Sequence, residues 1–130
     1  MKILIAEDDL ASRKFLFKLL SQYGECDLTI DGIEALEAFA IAYDLGEPYD
    51  LLCLDIMMPK IDGLKVLKTI REYENKKGID DAEKCKVIIT SALSESEVEF
   101  DFPVTENEIY ETKPVDSIRI KDALKKLELI

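Results

Sequence analysis

Apolar and polar positions along the chain fall into two alternating kinds of segment. Lys2–Ala6 is a short apolar run that ends abruptly at Glu7-Asp8-Asp9. Phe15, Leu16, Leu19, Leu20 and Tyr23 then recur at helical spacing, and Gly24 follows as a stop signal. Cys26, Leu28 and Ile30 alternate with polar residues and predict a short strand. After the Asp31-Gly32 turn, Ile33, Leu36, Phe39, Ala40 and Tyr43 make a second helical stripe, closing near Gly46-Glu47-Pro48. Leu51–Leu54 is continuously apolar and too short for a buried helix, so it predicts a strand buried on both faces. Asp55 ends it, Met57-Met58-Pro59 forms a loop, and Leu64, Leu67, Ile70 and Tyr73 give a third helical stripe after Asp62-Gly63.

Asn75–Lys84 is polar and predicts a loop. Val87–Ile89 is a fourth strand leading into Thr90-Ser91, and Ile109–Thr112 is a weaker fifth. Lys113-Pro114 breaks it. A last helix begins with Asp116 or Ser117 as its cap and turns Ile120, Leu124 and Leu127 to one side. Strand and helix alternate with short connections, which predicts an α/β fold with a mostly parallel sheet and helices on both faces. One segment breaks the rhythm. In Glu95–Val104, where a fourth helix belongs, Val98, Phe100, Phe102 and Val104 alternate with Glu97, Glu99, Asp101 and Pro103. That is strand periodicity, and Pro103 stops a continuing helix, so this helix is expected to be short, distorted or absent.

The length of 130 residues is that of one domain, and no second domain is expected within 1–130. No apolar stretch approaches the length of a membrane span, and a cytoplasmic location is expected. The formal charge is −11, which disfavours nucleic acid and anionic lipid as partners. No basic residue stands between Lys86 and Lys113, while Glu95, Glu97, Glu99, Asp101, Glu106, Glu108 and Glu111 crowd the interval; this is a solvated face or a docking surface for a basic partner. Histidine is absent, which removes His-based triads, His metal ligands and phosphohistidine chemistry. Cys26, Cys53 and Cys85 have no paired spacing and read as small buried hydrophobes.

Ligands of an open α/β sheet bind outside the carboxyl ends of its strands. Asp8 and Asp9 follow the first strand, Asp55 ends the third, Ser91 the fourth, and Lys113 follows the fifth. Four strands thus deliver polar or charged residues to one rim. Three converging carboxylates repel one another, and a hard divalent cation removes the repulsion. Oxygen donors without His or paired Cys point to Mg²⁺ or Mn²⁺. Lys113 and Ser91 could neutralise phosphoryl oxygens, and Asp55 is the best placed nucleophile.

These residues resemble the receiver domain of two-component response regulators, the CheY-like family. The matching pieces are Glu7-Asp8-Asp9, Asp31 to Leu36, Asp55 to Gly63, Ser91-Ala92 and Lys113-Pro114, in order and at the family's spacing from Lys2 to Leu127. The resemblance implies a doubly wound five-stranded parallel sheet of strand order 2-1-3-4-5. It implies that Asp55 is the phosphoryl acceptor, that Asp9 and Asp55 ligate Mg²⁺ by side chain with Met57 by its backbone carbonyl, and that Asp8 does so largely through water. Ser91 would be the switch hydroxyl, Tyr110 the aromatic switch, and Lys113 the phosphoryl-binding lysine, its bond to Pro114 often cis. The Glu106-Asn107 pair departs from the Gly-Ala usual before the fifth strand.

The function so implied is a stand-alone phosphoacceptor rather than an enzyme. A histidine kinase or phosphotransfer protein would charge it, and it would signal to a downstream protein by conformational switching, as a monomer or a phosphorylation-dependent homodimer. The alternatives are a receiver-like interaction module that is never phosphorylated and a Mg²⁺-dependent phosphohydrolase. The latter would want a second acid two residues after the nucleophile, where Met57 stands. Met57 and Leu93, two residues after the acceptor and the switch hydroxyl, are expected to hinder an attacking water and lengthen the phosphorylated lifetime.

Overall fold

Each apolar run of the sequence becomes a strand, and each helical stripe becomes a helix. A computed structural model describes residues 1–100 and 104–130. The chain runs β1 (Lys2–Ala6), α1 (Leu10–Leu20), β2 (Glu25–Thr29), α2 (Gly32–Asp44), β3 (Leu51–Asp55), α3 (Gly63–Lys76), β4 (Lys86–Ser91), β5 (Glu108–Thr112) and α4 (Ser117–Lys126). The five strands form one parallel sheet in the order β2-β1-β3-β4-β5, the order the resemblance implied.

Helices cover both faces, so β3 in the middle is buried at every position. On one face Phe39 and Ala42 of α2 and Val66, Leu67 and Ile70 of α3 pack on Leu4, Leu52, Leu54, Val87 and Ile89. On the other, Leu16, Leu19 and Leu20 of α1 and Ile120, Ala123 and Leu124 of α4 pack on Ile3, Ile5, Cys53 and Ile88. Each buried Leu or Ile contributes roughly 1.5–3 kcal/mol by leaving water. Every one of these helices starts with an aspartate cap. Asp9, Asp31, Asp62 and Asp116 accept from the backbone N–H of Ser12, Glu34, Lys65 and Arg119 respectively.

Two details differ from expectation. The second strand stops at Thr29, and Leu28 and Ile30 are nearly half exposed, because β2 is an edge strand only partly covered by helices. The polar stretch from Asn75 begins inside α3, which runs to Lys76, and Asp81–Glu83 forms a 3-10 turn. There Glu74 is fully buried: Arg71 and the backbone N–H of Cys85 satisfy its carboxylate, and Arg71 also holds Glu108 at 2.6 Å. Between β4 and β5 the only regular structure among the described residues is a 3-10 turn, Glu95–Glu97, closed by a reciprocal Ser94–Glu97 cap. Of the alternating residues, Val98 and Phe100 are half-buried against the α2–α3 side of the core. Asp101, Phe102 and Pro103 lie outside the described residues.

Candidate functional site

Side chains alternate faces along a strand, so Ile3, Ile5 and Glu7 form one row and Leu51, Cys53 and Asp55 another. β1 and β3 are hydrogen-bonded neighbours. The two rows therefore run into the α1–α4 face and bring Glu7 and Asp55 side by side at the carboxyl rim. Both are buried, Glu7 completely and Asp55 to within 4 %. Lys113, just past β5, reaches over from the far side. Its Nζ donates to Glu7 Oε1 at 2.6 Å and lies 3.4 Å from Asp55 Oδ1.

Carboxylate oxygens of Glu7, Asp8 and Asp55 all lie within 4.8 Å of one another, a donor set suited to a hard divalent cation. Burial, and next the charge of Glu7, push the Asp55 carboxyl up from 3.8 to about 7, against the pull of Lys113. Burial alone would lower Lys113, but the hydrogen bond to Glu7 and the charge of Asp55 outweigh it and raise it. The acidic side of the site is thus undercompensated by its single lysine.

This cluster differs from the expected ligand set. Asp9 does not join it: its carboxylate caps α1, accepts the Ser12 N–H at 2.9 Å, and that bond holds it below the usual carboxylate value. Glu7 stands where Asp9 was expected. The signal was in the sequence, because a period-two count from Ile3 puts Glu7, not Asp8 or Asp9, in the row beside Asp55. Asp8 is exposed at the rim and belongs to the cluster. Met57, two residues after Asp55, is exposed between the buried Ile56 and Met58, and its N–H donates to Asp55 Oδ1 at 3.4 Å.

The loop after Asp55 is fixed by a close approach. The N–H of Gly63 donates to Ile56 O, and a β-carbon at Gly63 would stand 2.3 Å from Asp55 O. Only glycine lets α3 start this close to the acceptor strand. On the other side, Ser91 is fully buried and its Oγ accepts the Leu93 N–H at 3.0 Å. Tyr110 OH donates to the carbonyl of that same Leu93 at 2.6 Å, and its ring meets Phe100 edge-on. Ser91 and Tyr110 thus grip one residue from both ends. The Lys113-Pro114 bond is cis. Beside Glu7 and Lys113 opens a cleft of about 480 Å³, walled by Ala11, Phe15, Leu16, Pro114 and Val115.

Comparison with known proteins points one way. Residues 3–125 match the family model of the response regulator receiver domain. The chain is 32 % identical over 129 residues to hybrid signal transduction histidine kinase L of Dictyostelium discoideum, covering 96 % of this chain and 7 % of that protein. It is 42 % identical over 72 residues to response regulator MprA of Mycobacterium avium, covering 55 % of this chain and 29 % of that one. The chain therefore spans less than a third of the length of either relative. Among solved structures it resembles the CheX–CheY–BeF3–Mg complex from Borrelia burgdorferi, with TM-score 0.76, 25 % identity and coverage of 98 % and 89 %. It also shares its fold with the complex of the Saccharomyces cerevisiae histidine phosphotransfer protein Ypd1 and the receiver domain of Ssk1, with TM-score 0.73, 20 % identity and coverage of 93 % and 83 %.

Proposed function

The chain belongs to the response regulator receiver family, and on that premise we propose that it accepts a phosphoryl group on Asp55 and passes the event on by a change of shape. The observation that supports this most is the placement of Asp55: buried at the end of the central strand, flanked by Glu7, and 3.4 Å from Lys113. An Asp55 oxygen attacks phosphorus, the bond from phosphorus to the donor's imidazole nitrogen breaks, and the donor leaves with the bonding pair. The product is an acyl phosphate on this chain.

Glu7, Asp8 and Asp55, with the Met57 carbonyl, would hold Mg²⁺ or Mn²⁺. Bound there, the ion would cancel the mutual repulsion of the carboxylates and neutralise charge building on the phosphoryl oxygens. Lys113 supplies the matching positive charge from the chain itself. Ser91 would give up the Leu93 N–H to turn toward the phosphoryl group, which loosens the residue Tyr110 also holds. Switching then means a shift between two arrangements of the loop after β4.

The apolar walls of the cleft beside Lys113 suit a protein donor, and a histidine kinase or phosphotransfer protein is the partner class this reading implies. The downstream partner would be another protein, met by this chain as a monomer or as a phosphorylation-dependent homodimer. No described helix is long and apolar enough to cross a membrane, which is compatible with work in the cytoplasm.

The test is intact mass after incubation with acetyl phosphate, with and without Mg²⁺. A single phosphoryl adduct that needs Mg²⁺ and vanishes in Asp55→Asn is expected. An unmodified wild-type chain in the presence of Mg²⁺ would refute the reading and favour a receiver-like binding module.

A further inference from the structure

The positive end of a helix dipole disfavours a cation in the first turn. Two helices at this site nevertheless carry an arginine there. Arg13 follows the Asp9 cap of α1, and Arg119 follows the Asp116 cap of α4. A residue that breaks a local rule needs a compensating role, and the contacts supply one in each case. Nη1 of Arg13 donates to the carbonyls of Glu7 and Asp8 at 3.0 and 3.2 Å. Nη1 of Arg119 donates to the carbonyls of Thr112 and Pro114 at 2.8 and 2.9 Å, the two residues on either side of Lys113. Its Nε and Nη2 are anchored on Glu111 Oε2 at 2.9 and 2.6 Å. The two arginines do the same thing on opposite loops: one guanidinium nitrogen is shared between two carbonyls that bracket, or belong to, residues of the site.

We propose that Arg13 and Arg119 are positioning residues with separate targets, Arg13 setting the carboxylates of Glu7 and Asp8, and Arg119 setting Lys113. The proposal rests on the phosphoacceptor reading above. Its logic is geometric. Lys113 reaches Glu7 at 2.6 Å but Asp55 at only 3.4 Å, so a small shift of its backbone changes which carboxylate it serves. That backbone has the Lys113 N–H on Ser91 O and the Arg119 strap on either side. The Glu7–Asp8 segment has the Glu7 N–H on Thr29 O and the Arg13 strap. The planar guanidinium of Arg119 holds Glu111 with Nε and Nη2 while Nη1 takes both carbonyls; a lysine ammonium keeps the charge and loses that two-sided grip.

The experiment crosses two variants with two readouts. Mg²⁺ affinity is measured by calorimetric titration, and the rate of phosphorylation by acetyl phosphate at saturating Mg²⁺ by intact mass. Melting temperatures confirm that each variant folds. Arg13→Ala is expected to weaken Mg²⁺ binding by about tenfold, the low end for an outer residue behind metal ligands. Arg119→Ala is expected to leave Mg²⁺ affinity alone and slow phosphorylation by about tenfold, with no further loss when combined with Lys113→Ala. Arg119→Lys should fall with Arg119→Ala.

Exchange of the Lys113 amide, which needs no phosphorylation, should accelerate in Arg119→Ala and not in Arg13→Ala. If wild-type protein takes no phosphoryl group, the phosphoacceptor reading fails, while the titration and the amide exchange still test the two straps. Equal losses of both properties in both variants, no loss in either, full recovery in Arg119→Lys, or an additive loss with Lys113→Ala would each overturn the proposal.

Discussion

Replacing Asp55 by asparagine removes a charge that the folded chain holds at a cost. In the absence of divalent cations the buried Asp55 carboxyl is pushed from 3.8 to about 7, first by burial and then by Glu7. The folded state thus binds a proton that the unfolded chain has already released between those two values. Stability therefore falls as pH rises from about 4 to about 7 and levels off above. At about 1.4 kcal/mol per pH unit, the full penalty above pH 7 is on the order of 4 kcal/mol. Asp8 is exposed at the rim and Lys113 is partly so, and solvent at that opening halves the figure to about 2 kcal/mol. Asparagine keeps the shape and loses the titration. In EDTA, urea unfolding at pH 5 and pH 8 should show Asp55→Asn gaining on wild type by about 1.3 kcal/mol, the part of that penalty that falls between the two pH values. Added Mg²⁺ at pH 8 should stabilise wild type and close the gap. A difference between the two proteins that is the same at both pH values would refute the reasoning, because it would mean that Asp55 stays ionised throughout.

The other predictions concern packing and exposure. Gly63→Ala should cost about 1–3 kcal/mol and abolish the phosphoryl adduct, since its β-carbon meets Asp55 O at 2.3 Å; urea unfolding and intact mass read both. Arg71→Ala strands the buried Glu74 and Glu108 carboxylates and should cost about 3–5 kcal/mol by the same unfolding assay. Alkylation at pH 8 should mark Cys26 first. Cys53, fully buried and pushed up to about 12, and Cys85, buried and pushed up as well, should react only after unfolding. Exchanging the exposed Met57 and the part-exposed Leu93 for polar residues should speed loss of phosphate from the adduct several-fold, followed by mass against time; an unchanged rate would remove them from the path of water.

The sheet and most of the rim were legible because strand-end chemistry follows from two simple counts. A four-residue apolar run can only be a strand buried on both faces, and its first polar residue, Asp55, must then emerge at the ligand-binding edge. That the described residues between β4 and β5 hold a 3-10 turn and no α-helix was legible for a related reason, as the alternation around Val98 and Phe100 has no helical face to bury. Adjacency along the chain pairs Asp8 with Asp9, whereas the period of two that aligns neighbouring strands pairs Glu7 with Asp55. The capping role of Asp9 depends on where α1 starts, which shifts by a residue or two in any reading of sequence. Glu74 directly follows Tyr73, the last residue of the apolar stripe, and is fully buried. Its burial depends on Arg71 three residues before it and on the N–H of Cys85 eleven residues after it, and no local pattern shows that pairing.

The contact between Lys113 and Glu7 joins residues 106 positions apart. During synthesis at roughly 5–20 residues per second, Asp55 at the end of β3 is made about 3–12 s before the lysine that balances it. In that interval the nascent chain carries Glu7 and Asp55 in facing rows with no cation of its own to separate them. The acidic pocket is then a reason for the half-made sheet to stay open, and Lys113 is the residue that lets it close. A chain stopped just before position 113 would keep all five strands and lose α4 with its apolar cover, and its acidic rim would have only divalent ions to stand in for the missing lysine.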